Sequence, residues 1–377
     1  MNMFWICCAT TSFETSIGMR SFRNVFRRNH QTMESWYSVA LKKPNRLDYY
    51  FWDSYNPTFN FQTNSDINEW IHNCFTKTKQ KWNGGQILYN DQLPTGYKEC
   101  EFLNGINNSG HCKGIVAWNN NKIGWLIHSI PKYPSHSMTE DGVLPHISLD
   151  DAKFGQSMIY CEFPISYKNE ILQQICMMDA QLYHYTNNIF NDEIKSTTNN
   201  EDIILLYFKN CSKENTLNVV SLPKTKHLIK SNINIRHYAK NRFYEKDIYE
   251  HIFSMRNYTA LKCQPNTNYM PILCETWIRG QELHSTQWVK NIQKLKEWNE
   301  QNDHSKWAIS MPYEKKILGF TYKKNWYRVC ISDLNRMKSQ LGRGGGGIVI
   351  DGNKSLWTCF NNLIVSYKDE HNNIIVH

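Results

Sequence analysis

Two copies of a His-x-Lys tripeptide carry the residue types in this sequence that suit phosphate chemistry best. His111 and Lys113 form the first copy, and His304 and Lys306 form the second. On an extended segment, side chains two residues apart point to the same side of the chain. Each pair therefore offers an ammonium that binds phosphate and an imidazole that can attack phosphorus. About one such tripeptide is expected by chance in this chain, so either copy alone is a weak signal.

The segments around the two copies follow a similar order. Each copy directly precedes a predicted strand, a second strand follows, and an amphipathic helix comes later. In the first half these elements are the strands Ile115–Trp118 and Ile123–His128 with the helix Tyr167–Tyr185. In the second half they are the strands Trp307–Ser310, Ile317–Tyr322 and Tyr327–Ser332 with the helix Ser355–Tyr367. The two histidines are 193 residues apart (304 − 111), about half the chain. This arrangement predicts two similar lobes that face one another.

Four segments make up the predicted domain organisation. Residues 1–34 are a leader whose role the sequence leaves open, and residues 35–190 form an N-terminal lobe. The polar residues 191–202 are the linker, and residues 203–377 form a C-terminal lobe. The remaining predicted elements are the strands Trp36–Leu41, Tyr49–Trp52, Gln86–Tyr89, Ser157–Phe163 and Ile203–Phe208, and the helices Asp66–Phe75, capped by Ser65, and Asp247–Asn257.

Composition narrows the class of protein. The 377 residues carry a formal net charge of +9, which favours a polyanionic partner without identifying one. The sequence has no run of about 20 apolar residues, so it predicts no membrane span. The twelve cysteines form no CxxC pair, so the usual signature of a zinc ribbon or a thioredoxin-type site is missing. Four sequons permit a secreted protein, at Asn107, Asn210, Asn257 and Asn353.

Longer blocks around both copies resemble the deoxyribonuclease II family. In the first half they are ILYNDQLP (87–94), GHCKG (110–114), GWLIHSIPKYP (124–134) and FGQSMIYCEF (154–163). In the second half they are LCETWIRG (273–280), DHSKW (303–307) and SDLNRMKSQLGRGGGG (332–347). The resemblance runs from about Trp36 to Tyr367. Separated blocks in the family's order are far more specific than the tripeptides alone.

The resemblance implies a phospholipase-D-like α/β fold, a pseudo-dimer of two α/β lobes that each contribute one His-x-Lys motif to a single active site. It implies an acid endonuclease that hydrolyses DNA without a metal ion or another cofactor. In that chemistry one imidazole, of His111 or His304, attacks the phosphodiester to form a phosphohistidine, and the other protonates the leaving oxygen. Lys113 and Lys306 would stabilise charge on the phosphate oxygens. The implied products carry 3′-phosphate ends and the implied location is lysosomal or secreted. The sequence leaves open which histidine attacks.

Three residues near the motifs are secondary candidates. Asn335 is suited to hydrogen-bonding phosphate or orienting an imidazole, but a turn-forming asparagine is nearly as good an interpretation. Asp333 is a candidate to orient a histidine, and the stronger alternative is an exposed loop acid. His128 is a candidate to assist the first motif, and the stronger alternative is a hydrogen-bonded strand histidine.

Basic residues are the candidates for DNA contacts. The stretch Lys224–Arg242 contains six cations and no acid, and its Tyr238 is a candidate to stack on an unpaired base. In Gly344–Gly347 the backbone N–H groups can approach phosphate closely, since glycine lacks a side chain. The alternatives are a solvated face for the stretch and a flexible turn for the glycines. The individual candidates are Lys226, Lys230, Arg336 and Arg343.

Two other functions remain open at this stage. A phosphodiesterase acting on lipid head groups would use the same chemistry, although the flanking blocks resemble the nuclease branch. A noncatalytic DNA-binding or host-interacting member of the family is the other alternative. Ala308 and Val349 stand where the family usually has cysteines, which puts its disulfide pattern in doubt, and Cys112 places a thiol beside the first motif.

Overall fold

A computed structural model describes residues 35–77, 79–97, 110–148, 151–186, 217–223, 233–253, 270, 272–275, 289–317 and 320–377. The predicted leader, the predicted linker and the predicted strand Ile203–Phe208 lie outside these residues. The described chain is mixed α/β, with two large sheets and few helices.

The first sheet has eight antiparallel strands in the order β3-β2-β1-β7-β6-β5-β4-β8. Its strands are β1 (Trp36–Lys42), β2 (Tyr49–Asp53), β3 (Gln62–Asn64), β4 (Gly85–Asn90), β5 (Lys113–Trp118), β6 (Lys122–His128), β7 (Gln156–Pro164) and β8 (Leu182–Tyr185). Alternating residues of the central strands enter two different cores. In β1, for example, Tyr37, Val39 and Leu41 pack into one core, while Trp36 and Ala40 pack into the other. Both faces of this sheet are therefore covered.

The second sheet has nine strands in the order β19-β18-β12-β11-β13-β16-β17-β10-β9. They are β9 (Leu217–Leu222), β10 (Asn234–Lys240), β11 (Ile272–Glu275), β12 (Val289–Leu295), β13 (Trp307–Ser310), β16 (Val329–Ser332), β17 (Gly345–Asp351), β18 (Ile364–Lys368) and β19 (Ile374–Val376). Only the β11–β12 pair among them is parallel. The strands β14 (Tyr313–Ile317) and β15 (Phe320–Lys324) form a separate hairpin. The single strand predicted at Ile317–Tyr322 is therefore wrong, because β14 ends at Ile317 and β15, which begins at Phe320, runs antiparallel to it.

The two sheets repeat one central arrangement. In the first sheet the neighbouring strands run β1-β7-β6-β5-β4, and in the second they run β10-β17-β16-β13-β11. The first His-x-Lys ends at the start of β5, and the second ends directly before β13. Both motifs therefore enter their sheets at matching central strands, as the similar order of the sequence segments predicts.

Helices cover the outer faces of the sheets and fill the space between them. Helix α1 (Ile67–Thr76) packs on the outer face of the first sheet, and α3 (Ile248–Ile252) packs on the outer face of the second. Helices α2 (Lys168–Met177) and α4 (Lys354–Asn361) contribute to the core that both sheets share. Residues 34–377 consequently form one compact unit.

The predicted helix ends differ from the observed ones. Helix α2 ends at Met177 instead of Tyr185, because Asp179 adopts a left-handed conformation (φ 53°) and the chain returns as β8. Helix α4 ends at Asn361 instead of Tyr367, and β18 follows it. The cap of α1 is Asp66, whose carboxylate accepts a hydrogen bond from the Asn68 backbone at 2.9 Å, and not the predicted Ser65.

The described part of the structure bears on three features of the sequence: membrane spans, cysteines and sequons. No helix in the described part of the chain is long and apolar enough to cross a membrane. The described cysteines are all buried free thiols: Cys74, Cys112, Cys161, Cys176, Cys274, Cys330 and Cys359. Asn353 is buried, caps α4 and donates to the Tyr37 hydroxyl at 2.9 Å, so this sequon is not accessible in the fold. The other three sequons lie outside the described residues.

Candidate active site

The first motif is held by backbone groups of the second lobe. The His111 backbone N–H donates to the Gly344 carbonyl at 2.8 Å. The His111 ring contacts the Asp333 carbonyl oxygen through Nδ1 at 2.6 Å. Because a carbonyl oxygen only accepts, Nδ1 carries the proton in this contact. A neutral His111 therefore has an unprotonated Nε2, which is the form a nucleophile needs.

The second motif is held in turn by the first lobe. The backbone N–H of His304 donates to the Gly155 carbonyl at 2.9 Å, and that of Lys306 donates to the Ser157 hydroxyl at 2.9 Å. The Phe154 ring stacks on the His304 ring, with 3.8 Å between centroids and 9° between planes. These contacts fix both the backbone of the motif and the plane of its imidazole.

The segment Ser332–Asp333 connects the two motifs through hydrogen bonds. The Ser332 backbone N–H donates to the Lys306 carbonyl at 2.8 Å, and the next residue, Asp333, holds the His111 ring. The positive charge of Lys306 also helps to lower the pKa of His111. The structure thus brings His111, Lys113, His304 and Lys306 into one largely buried centre between the sheets.

Asp91 lies at this centre and was not predicted from the sequence. Its carboxylate pairs with the Lys113 ammonium, lies 3.2 Å from the Arg343 guanidinium and lies 3.7 Å from Nε2 of His111. Burial raises the pKa of Asp91, but Lys113, His111 and Arg343 outweigh it and hold the pKa below its usual value. A sequence signal existed, because Asp91 lies inside the ILYNDQLP block, two residues after the predicted strand Gln86–Tyr89.

Burial sets the protonation states around the motifs. It lowers the pKa of His111 well below its usual value, and the Lys113 charge lowers it further. Burial and the Lys113 charge also lower the pKa of Lys306 to about 7. Burial raises the pKa of Asp333 to about 7. Below about pH 7, Lys306 therefore keeps its charge and Asp333 holds a proton, and the lowered pKa of His111 favours its neutral form.

Two of the secondary candidates lie near the motifs. Asp333 is buried, and its Oδ1 accepts the Gly346 N–H at 2.8 Å, so the interpretation as an exposed loop acid is wrong. His128 is buried on β6, and its Nδ1 accepts the Ile130 N–H at 3.2 Å. Burial and the Lys113 charge lower the pKa of His128 to about 3. It therefore stays neutral at working pH, as a hydrogen-bonded strand histidine.

Asn335 and Arg336 lie side by side in a buried segment. Asn335 lines a small cavity with Lys240, and its backbone N–H donates to the Gln340 side chain at 2.6 Å. Arg336 is buried and pairs with Asp247 at 2.7 Å. Its expected role in DNA contact is corrected to an internal ion pair, since the guanidinium does not face solvent.

The basic stretch and the glycine segment are also corrected. Tyr238 is fully buried and cannot stack on a base, and Lys240 donates to the carbonyls of Leu341 and Arg343 at 2.8 and 2.6 Å. Lys226 and Lys230 lie outside the described residues. The glycines 345–347 begin β17 instead of forming a flexible turn, and the Gly346 N–H donates to the Asp333 carboxyl group. Arg343 remains as a partly exposed cation beside Asp91.

The described residues contain neither a candidate metal site nor a reactive thiol beside the first motif. Within the described ranges, no group of three or more His, Cys, Asp or Glu side chains is arranged to hold a metal ion. Burial raises the pKa of the Cys112 thiol well above its usual value, so this cysteine is a protonated core residue.

The fold and the site together define an α/β protein whose two sheets share one buried centre of histidine, lysine and aspartate side chains. The family model for Deoxyribonuclease II matches residues 30–370. The chain belongs to the deoxyribonuclease II family, and its class is that of a deoxyribonuclease, a hydrolase.

Similarity to individual relatives extends over most of the chain. Deoxyribonuclease-2-beta of Mus musculus is 27% identical over 338 residues, which cover 85% of this chain and 83% of the relative. Plancitoxin-1 of Acanthaster planci is 26% identical over 306 residues, covering 78% and 73%. Cell-death-related nuclease 7 of Caenorhabditis elegans is 25% identical over 269 residues, covering 68% and 63%.

Proposed function

We propose that the protein is a metal-independent acid endonuclease that hydrolyses DNA phosphodiester bonds through a phosphohistidine. The observation that carries this proposal is the hydrogen bond from His111 Nδ1 to the Asp333 carbonyl, at a centre that also holds both lysines. It leaves Nε2 of His111 available for attack in the neutral ring. We further propose that the two lobes form a phospholipase-D-like pseudo-dimer, which the matching order of the central strands supports.

In the proposed first step, Nε2 of His111 forms a bond to phosphorus and the bond from phosphorus to the 5′-oxygen breaks. His304 gives a proton to that leaving oxygen. In the second step His304 takes a proton from water, the water oxygen bonds to phosphorus, and the His111–phosphorus bond breaks. The phosphoryl group stays on the 3′-oxygen throughout, so the product has a 3′-phosphate end.

Lysines supply the positive charge at the proposed site. The Lys113 ammonium forms an ion pair with Asp91, and the Lys306 ammonium donates to the His304 carbonyl at 2.5 Å. Both are buried, where a charge acts on phosphate oxygens more strongly than in water. Asp91 is proposed as a positioning residue, because its carboxylate contacts Lys113, Arg343 and His111 together.

A lysosomal or secreted location is part of the proposal. It follows from the membership of the chain in the deoxyribonuclease II family, whose resemblance implied that location.

Cleavage of plasmid DNA in EDTA across pH tests the proposed function. We expect activity in EDTA, a maximum on the acid side of neutrality and 3′-phosphate ends. Activity should fall as pH rises through about 7, because the Lys306 ammonium loses its proton there. Control reactions with added Mg²⁺ should be no faster. A metal requirement, an alkaline maximum or 5′-phosphate ends would overturn the mechanism, and binding without cleavage would favour a noncatalytic family member.

A further inference from the structure

A solvent-open cleft of about 580 Å³ lies beside the second motif. One wall is the turn after β1, which includes Asn45 and Arg46, and the other is the segment Lys294–Asn302, which begins at the end of β12. The two walls come from different lobes. The cleft is therefore a groove at the lobe boundary, and none of the proposed catalytic residues lines it.

Cations dominate the lining of this cleft. Lys294 and Lys296 are both exposed and both line the cleft, while Leu295 between them is buried. Among the described residues, no carboxylate lies within ion-pair distance of either lysine. The acid in the lining, Glu297, is already neutralised by Lys43 at 2.9 Å and Arg46 at 3.0 Å. The lining thus keeps free positive charge for an anionic ligand.

Both walls connect to the segments around the His304 ring. Asn302 is two residues before His304, so their Cα atoms are at most about 7.6 Å apart. On the other wall, the Asn45 N–H donates to the carbonyls of Ala152 and Lys153 at 2.9 and 3.1 Å. The next residue, Phe154, is the one that stacks on His304. A ligand held in the cleft would therefore lie close to the second motif.

We propose that this cleft binds the phosphodiester backbone of the DNA strand next to the scissile phosphate. The proposal rests on the proposed function, in which His304 acts on a phosphodiester. A DNA strand carries one negative charge per about 3.4 Å of helix axis, so phosphates flanking the reacting one fall within reach of the groove. Contacts of lysine with phosphate are independent of base sequence, so the cleft adds affinity without base preference.

The double variant Lys294→Gln with Lys296→Gln tests the cleft. At about 0.1 M salt we expect DNA to bind roughly tenfold more weakly, and the slope of log Kd against log salt to fall by about 1.5. The kcat/KM for DNA should fall by a similar factor. Hydrolysis of bis(p-nitrophenyl) phosphate should be unchanged, because this small diester reaches the catalytic centre without entering the groove.

The matched control is Lys79→Gln with Lys81→Gln, which removes the same charge at the same spacing from an exposed segment outside the cleft. It should change DNA binding by less than about twofold. Equal loss in both double variants, or no loss in the cleft variant, would overturn the proposal. If the parent hydrolyses neither DNA nor the small diester, the proposed function fails, and the Kd and salt slope still decide whether the cleft binds DNA.

Discussion

Replacing His111 or His304 with alanine should abolish DNA cleavage, with kcat falling by about 10³-fold or more. The two residues are expected to act as nucleophile and general acid in one displacement, so their effects do not add. The double variant should therefore be little slower than either single variant. Initial rates on plasmid DNA at acid pH, with enzyme concentrations high enough to detect residual activity, measure this.

The two histidines should differ on an activated substrate. With thymidine 3′-(p-nitrophenyl phosphate), the leaving group needs no proton, so His304→Ala should still release p-nitrophenolate in a first turnover while His111→Ala should not. The control is His72→Ala, which removes an exposed histidine of α1 and should keep full activity. Substantial DNA cleavage by either single variant, with thermal melting unchanged, would mean that the motifs do not form one active site.

Replacing Asp91 with asparagine should lower kcat/KM by about 10-fold to 100-fold, an effect typical of residues that orient catalytic groups. The carboxylate pairs with Lys113 and raises the pKa of His111, so both the lysine position and the histidine titration depend on it. Without the negative charge the pKa of His111 falls further. The limb of the pH profile that His111 governs should therefore move to lower pH.

The pH profile separates a positioning role from a purely structural one. A variant that is merely less stable loses activity at every pH without moving either limb. The matched control is Asp141→Asn, which removes an exposed carboxylate and should leave the rate and the profile unchanged. An Asp91→Asn enzyme with the parent profile would show that this carboxylate does not act on His111.

Elements that depend on local residue patterns were predicted correctly from the sequence. The strands that carry the motifs were confirmed, because Ile115–Trp118 and Trp307–Ser310 are short apolar runs and both are buried. The helix ends were wrong, because Leu182 and Ile364 continue an apolar helical stripe and also suit a strand. Periodicity alone does not show where the helix ends and the strand begins, as happens after the left-handed residue Asp179.

Charged residues were the harder part of the site. From the sequence alone, a basic residue is interpreted either as solvent-exposed or as a phosphate ligand. In the structure, Arg336 and Lys240 are instead buried against partners that lie far along the chain. Only the tertiary fold brings those partners together. Asp91 was missed for the same reason, since its significance comes from Lys113, 22 residues later, and from Arg343 in the other lobe.

Trapping the covalent intermediate tests the central claim most directly. The His304→Ala variant should react once with thymidine 3′-(p-nitrophenyl phosphate) and then stall, because hydrolysis of the phosphohistidine needs His304 as the base. With radiolabelled thymidine and an alkaline quench, we expect about one label per enzyme, on the peptide that contains His111. No label on the protein while p-nitrophenolate is released, or a label on any other residue, would contradict the assignment of His111 as the nucleophile.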